Sequence, residues 1–295
     1  MTASAATEVR KVGVVGLGAM GAGIVQLCLE AGVETVGREV SADLGERARD
    51  RITHFLTRKV EKGQLDQPAV DAALGRLTLT TDLEDFAGCE LVIEAIVEEL
   101  EPKRHLFAAL ERICGPEAVL ATNTSALSVT EIAAATERPE RVVGMHFFNP
   151  APLMPLVEIV RAELTADDPF ETAYAFGARI GKTPIRCHDT PGFVVNRVLI
   201  PLLNDCIRVL DEARVSPEDL DAGMRGGAGW PMGPCALVDL IGIDVHVHAS
   251  EALYEKTRDR AAAPPPRLVA MRNAGLLGRK SGRGFYRYDA QRGNH

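Results

Sequence analysis

The sequence predicts an α/β chain, with an N-terminal, doubly wound, mostly parallel sheet followed by an all-α part. Three observations carry that expectation. Short apolar runs alternate with helical stretches through the first two thirds of the 295 residues, and a run that is apolar throughout suits a strand covered on both faces. The first such run stops at a glycine-rich turn and continues as a helix. Beyond Asp189-Thr190-Pro191-Gly192 the strand-like runs vanish and helical periodicity takes over. The expected division is therefore residues 1–190 and residues 191–295.

Met1 to Val9 are small and polar and are expected to fray. Lys11-Val12-Gly13-Val14-Val15 reads as the first strand, followed by Gly16-Leu17-Gly18-Ala19-Met20-Gly21 and the helical run from Ala22 to Glu30. In this G-x-G-x-x-G spacing Gly16 allows the turn, Gly18 lets the backbone approach a pyrophosphate, and Gly21 lets the helix sit close on the strand. Phosphates then lie at the helix N-terminus, where free N–H groups and the macrodipole favour negative charge. Gly16, Gly18, Ala19, Met20 and Gly21 are thus the candidate cofactor-binding turn. Gly32 to Glu39 reads as a second strand ending in an acid, 18 residues beyond Gly21, about where a dinucleotide fold places the carboxylate that accepts ribose hydroxyls. Arg38 beside it suits stacking on adenine or pairing with a 2′-phosphate. Glu39 would repel that phosphate, so NAD is favoured and NADP stays open.

Ser41 to Gly75 is helical and charged, and its run Arg58-Lys59-Val60-Glu61-Lys62-Gly63 reads first as a solvated face. Leu77–Thr80, Leu91–Ala95, Val119–Ala121, Val142–His146 and Leu156–Val160 are the further expected strands. Ligands of such sheets collect at the carboxyl ends of strands, where Ser125 and His146 fall. After the Pro-Gly boundary, Val194–Leu210 and Leu237–Glu255 read as helices, Ala261–Pro266 as a proline-rich connector, and Gly278–Tyr286 as an ordered glycine-rich loop.

A formal net charge of −8 argues against nucleic acid as a main partner. The six cysteines are scattered with no C-x-x-C pair, which suits reduced thiols in a cytoplasm and offers no metal framework. No uninterrupted apolar stretch is long enough to span a bilayer, and the run from Val12 to Leu29 lacks a convincing signal-peptide cleavage site. A soluble, cytoplasmic protein is expected.

A bound nicotinamide implies hydride transfer, and oxidation of a carbinol needs a base for the hydroxyl proton. Of the seven histidines, only His146 ends an expected strand with polar neighbours. Glu158 lies inside the apolar run Leu156–Val160, where a carboxylate is costly unless paired. Pairing with a histidine would fix its tautomer and stabilise the imidazolium; an exposed strand face is the alternative. Asn196 reads equally as a substrate hydrogen-bond donor or as a residue that caps or packs a helix. Ser125 sits in Thr122-Asn123-Thr124-Ser125, also an ordinary loop or N-cap signal. With no base close in sequence it suits hydrogen bonding better than nucleophilic attack.

The runs Ala121–Ser125, Gly144–Pro150, Leu156–Glu158, Asp189–Arg197, Pro231–Pro234 and Gly282–Tyr286 together resemble the L-3-hydroxyacyl-CoA dehydrogenase family. The resemblance covers residues 10 to 288 in unbroken order and in size comes nearest the short, monofunctional 3-hydroxybutyryl-CoA dehydrogenases. It implies a Rossmann-type domain with a helical hairpin inserted after the second strand, and a C-terminal helical domain that forms a homodimer. It implies His146 as general base, Glu158 as its electrostatic partner, and Ser125 and Asn196 on the substrate oxygen. Glu39, Glu98 and Lys103 would hold NAD, with Asn149 near the nicotinamide. Lys59 and Lys62 fall in the hairpin and would touch CoA, as would Ser125. Arg38-Glu39 stands where an apolar residue and Asp are usual, and Ala126 where a second Ser is usual.

The implied reaction is reversible oxidation of a (3S)-3-hydroxyacyl-CoA, of short chain, to the 3-ketoacyl-CoA. An acyl-carrier-protein thioester as substrate and a non-enzymatic NAD-binding role are the alternatives. A β-hydroxyacid dehydrogenase, suggested by Gly16–Gly21, would need a catalytic Lys in a glycine-rich helix motif, and none stands where it should.

Overall fold

The computed structural model describes residues 8–288. They form two compact units, the first ending at Phe193 and the second beginning at Val194.

The first unit runs β1 Lys11–Val15, α1 Ala19–Glu30, β2 Glu34–Arg38, α2 Ala42–Glu61, α3 Gln67–Leu74, β3 Leu77–Thr80, β4 Leu91–Glu94, α4 Leu100–Ile113, β5 Val119–Thr122, α5 Val129–Ala133, β6 Val142–Phe147, β7 Leu156–Arg161, α6 Asp167–Arg179 and β8 Thr183–His188. The eight strands form one sheet in the order β3-β2-β1-β4-β5-β6-β7-β8. β3 through β6 are mutually parallel, β7 runs antiparallel to β6, and β8 is parallel to β7. Of the N-terminal stretch expected to fray, residues 1–7 lie outside the described residues. Val9 is a correction: it is buried, and its carbonyl accepts a hydrogen bond from Arg179.

Helices cover both faces, so the central strands are buried on both sides. Val12, Val14, Ile93, Ala121, Met145 and Ile159 pack into one apolar layer, and Val15, Val92, Leu120, Val142 and Val160 into the other. Strand alternation therefore sends His146 and Glu158 to the same face as Val142 and Val160. Close packing on that face needs Gly144, opposite Val160 in the register. A Cβ there would sit 2.6 Å from that of Val160.

α2 and α3 form the hairpin after the second strand. Each starts at a side-chain cap, Ser41 accepting from the Leu44 N–H and Asp66 from the Ala69 N–H. α2 buries only Gly45, Ala48, Ile52 and Leu56, a single stripe at helical spacing. Its charged run lies off that stripe.

The second unit is all-α: α7 Val195–Glu212, α8 Pro217–Ala228, α9 Pro234–Ile241, α10 Ile243–Thr257 and α11 Pro266–Asn273. Its core gathers Leu203, Ile207, Leu210, Cys235, Val238, Ile243, Val247 and Leu268. The helix expected over Leu237–Glu255 is broken at Gly242, whose φ of +100° no helix accommodates. The glycine-rich tail is ordered around the buried Asp239, which accepts from the N–H groups of Phe285 and Tyr286 and from the Tyr288 hydroxyl. No helix among the described residues is long and apolar enough to cross a membrane.

Candidate active site

The glycine-rich turn has the geometry that a pyrophosphate needs. Gly16 adopts φ +85°, a region that side chains disfavour. A Cβ on Gly21 would lie 1.8 Å from the Gly16 carbonyl oxygen, so only glycine lets α1 start so close to β1. A Cβ on Gly18 would meet nothing within 4 Å, and this residue caps α1 with no side-chain partner. The unfilled space thus lies in front of the free N–H groups of the first turn, and no acidic residue occupies that turn.

Glu39 lies directly beyond β2. Its Oε1 accepts from the Leu17 N–H at 2.7 Å and its Oε2 from the Val40 N–H at 3.0 Å. These bonds fix a carboxylate beside the turn and leave lone pairs for ribose hydroxyls. The Arg38 Nε donates to the Thr81 carbonyl, which draws that guanidinium toward the end of β3. The residues present fit a dinucleotide whose ribose carries free hydroxyls.

His146 and Glu158 are direct cross-strand partners on β6 and β7. The Nδ1 of His146 lies 2.6 Å from Glu158 Oε2, and the two residues are 3% and 0% exposed. With Nδ1–H donating to the carboxylate, Nε2 keeps a lone pair and faces Ser125 Oγ at 3.0 Å. Phe148 and Phe193 pack their rings 4.6 and 5.5 Å from the imidazole. Phe193 does so at φ +46°, a strained conformation for a bulky residue that costs about 1–3 kcal/mol. Neither aromatic was singled out from sequence, because a ring's role beside a histidine depends on strand and turn geometry.

Ser125 is exposed in the loop after β5, and Glu98 holds that loop. Glu98 Oε1 accepts from the Thr124 hydroxyl at 2.6 Å and from the N–H groups of Ser125 and Ala126 at 2.8 and 3.0 Å. Burial works to raise the Glu98 pKa, but the Lys103 ammonium and these three donors outweigh it and hold the carboxyl below its usual range. Lys103, expected at the cofactor, is 1% exposed. Its ammonium lies 2.5 Å from Glu94 and 3.2 Å from Glu98. Glu94 escaped the sequence reading, although the argument applied to Glu158 covers it equally: an acid inside a buried strand requires a partner.

Asn149 is exposed in the turn after β6. Asn196 stands in the first turn of α7, in the second unit. Lys59 pairs with Glu30 of α1 at 2.6 Å, so the hairpin lysine has a partner within the protein. Lys62 caps the end of α2 and is exposed.

An α/β domain with this turn, this acid after the second strand, and a histidine–carboxylate pair at the carboxyl edge of its sheet defines a nicotinamide-dependent dehydrogenase. Residues 11–190 match the model of the 3-hydroxyacyl-CoA dehydrogenase NAD binding domain, and residues 192–288 match that of the family's C-terminal domain. A probable 3-hydroxybutyryl-CoA dehydrogenase of Deinococcus radiodurans is 44% identical, covering 94% of this chain and all of that one. A 3-hydroxybutyryl-CoA dehydrogenase of Mycobacterium tuberculosis is 43% identical, over 95% of this chain and 99% of its own. The crystal structure of (S)-3-hydroxybutyryl-CoA dehydrogenase PaaH1 from Ralstonia eutropha superposes with a TM-score of 0.92 at 39% identity, covering 96% of this chain and all of that one. The chain belongs to the 3-hydroxyacyl-CoA dehydrogenase family and is an NAD-dependent oxidoreductase.

Proposed function

We propose that the protein interconverts a short-chain (3S)-3-hydroxyacyl-CoA, 3-hydroxybutyryl-CoA in particular, and its 3-ketoacyl-CoA. The observation that carries the reading is the Ser125–His146–Glu158 row of contacts at the carboxyl edge of the sheet. The relatives' names give the acyl-CoA and its length.

Gly16, Gly18, Ala19, Met20, Gly21 and Glu39 hold NAD, with Asn149 toward its nicotinamide end. Glu98 borders the same edge, and Lys103 acts there through Glu98. Bound NAD supplies the acceptor for the hydrogen that leaves C3 with its electron pair. His146 Nε2 takes the hydroxyl proton, and the Glu158 carboxylate stabilises the imidazolium formed. The Ser125 hydroxyl and the Asn196 amide hydrogen-bond the substrate oxygen as it becomes a carbonyl. Asn196 follows Phe193 by three residues in the chain. Lys62 and, in exchange for its contact with Glu30, Lys59 meet the CoA phosphates.

The protein acts as a homodimer in the cytoplasm. α7 exposes Val198, Leu202 and Val209, spaced to share one helix face, and all six cysteines are buried free thiols, as a reducing compartment permits.

The test is consumption of NADH with acetoacetyl-CoA, beside NADPH and beside a carrier-protein thioester. Turnover of the CoA ester with NADH, lost in His146→Ala while NADH binding persists, is the expected result. Near-normal turnover of His146→Ala overturns the assignment of the base, and a carrier thioester preferred over the CoA ester overturns the substrate. Sedimentation velocity checks the dimer, which a Leu202→Glu variant should dissociate.

A further inference from the structure

We infer that Glu94 is a positioning residue for the dehydrogenase reaction, acting through Lys103 and Glu98 on the loop that carries Ser125. The inference rests on the reading above that Ser125 and His146 act on the substrate.

Glu94 closes β4 and is fully buried between β1 and β5, opposite Val15 on one side and Thr122 on the other. Its Oε1 accepts from the Ile96 N–H at 2.7 Å and from Lys103 at 2.5 Å, and its Oε2 from the Thr122 hydroxyl at 2.7 Å. Lys103 spans from this anchor to Glu98, whose side chain is 41% exposed. A glutamate that exposed would ordinarily sample several rotamers; the buried ammonium confines it to the one that receives the Thr124 hydroxyl and the Ser125 and Ala126 N–H groups. The chain of contacts then ends at Ser125 Oγ, 3.0 Å from His146 Nε2.

A buried ion pair is a weak source of stability, because apolar residues of similar volume fill such a space as well or better. What apolar residues lack is a fixed cation to orient Glu98. The arrangement therefore serves geometry at the reacting edge, where a displacement of about 1 Å can cost roughly a hundredfold in rate.

The experiment compares Lys103→Met, Glu94→Gln and the double variant, reading melting temperature, NADH affinity, and kcat at saturating NADH and acetoacetyl-CoA. Lys103→Met alone strands a buried carboxylate and should lower the melting temperature. The double variant removes both charges, keeps the shapes, and should recover most of that loss. Its kcat at saturation should remain down by at least about tenfold. Recovery of kcat together with stability would show a purely structural ion pair and overturn the inference. So would a defect confined to NADH affinity that vanishes at saturation, since Lys103 would then serve cofactor binding alone. Ser125→Ala, measured beside them, separates the two readings. If it turns over normally, the role of Ser125 itself fails; if it is impaired while the double variant is not, only the role of Glu94 fails.

Discussion

His146 and Glu158 face each other in register across antiparallel strands, with Nδ1 and Oε2 2.6 Å apart. A cross-strand pair of this kind is held by the two backbones, so the imidazole has little freedom to turn. The carboxylate is fully buried, where its interaction with a developing positive charge is stronger than in water. Glu158→Gln keeps the shape and a hydrogen-bonding oxygen but removes the charge. It should lower kcat by about a hundredfold or more, within the range that positioned acid–base groups contribute, and leave NADH affinity unchanged. Steady-state kinetics with a parallel NADH titration checks this, and a kcat within twofold of the parent would refute the electrostatic role.

The two glycines of the cofactor turn should fail in different ways. Gly21→Ala places a methyl 1.8 Å from the Gly16 carbonyl oxygen, which backbone must move to relieve. A loss of about 1–3 kcal/mol is expected, as for other overpacked sites, visible as a lower urea midpoint. Gly18→Ala points its methyl into open space, so the midpoint should hold. NADH affinity should nonetheless fall, because that space is where the pyrophosphate approaches the backbone. Equal NADH affinity in Gly18→Ala and the parent would contradict the assigned approach.

The central strands β1, β4, β5 and β6 are legible in the sequence as short apolar runs, because burial on both faces leaves little polar alternation, whereas β2 and β3 carry polar residues and are legible from their place after α1 and the hairpin. β8 was not legible. Thr183-Pro184-Ile185-Arg186-Cys187-His188 sits at the sheet edge, mostly part-exposed, and a proline is tolerated there because its missing N–H faces no partner strand. α6 is also hard to read from sequence, because Pro169 and Gly177 stand among its buried residues and neither favours a helix. Within the site, the cost of burying an acid points from sequence to a histidine partner for Glu158, and in the structure His146 lies against it. The same cost applies to Glu94, an acid fully buried at the end of β4. Family resemblance set Lys103 on the cofactor, whereas its immediate partners are two carboxylates that only the folded loop brings around it. Asn196 reads two ways from sequence because an amide at a helix start serves capping and ligand binding equally.

The C-terminal tail depends on one carboxylate. Asp239 accepts from Phe285 N–H, Tyr286 N–H and Tyr288 O–H at 2.9–3.0 Å, and a Cβ on Gly284 would lie 2.0 Å from its Oδ1. Asp239→Asn turns an NH2 group toward donors and leaves at least one of them buried without an acceptor. A loss of about 1–3 kcal/mol follows. Limited proteolysis should then cut the tail after Gly278 faster than in the parent, and an unchanged cleavage rate would count against this anchoring.

The second unit should also lose stability in mild acid through His246. This histidine is 2% exposed, and its Nε2–H donates to Asn204 Oδ1 at 2.9 Å. The Asn204 amide is itself committed as a donor to the Ala261 and Ala262 carbonyls, so Oδ1 must face His246. Burial pushes the imidazole pKa down from 6.5 to about 4. The folded state thus binds the proton less readily than the unfolded chain, and stability rises with pH across that interval. It is fully present above about pH 6.5, declines as the pH falls, and levels off below about pH 4, a total of about 3 kcal/mol. Glu98, with its carboxyl held below the usual carboxylate range, adds a second loss only in more acid solution, as the pH falls through that range. Urea midpoints at pH 7.5, 6 and 5 should therefore fall in the parent. In His246→Gln, which offers an amide donor to Asn204 and has no proton to gain, the fall over this window should shrink. Parallel pH dependences in the two proteins would mean that His246 is not the group that titrates.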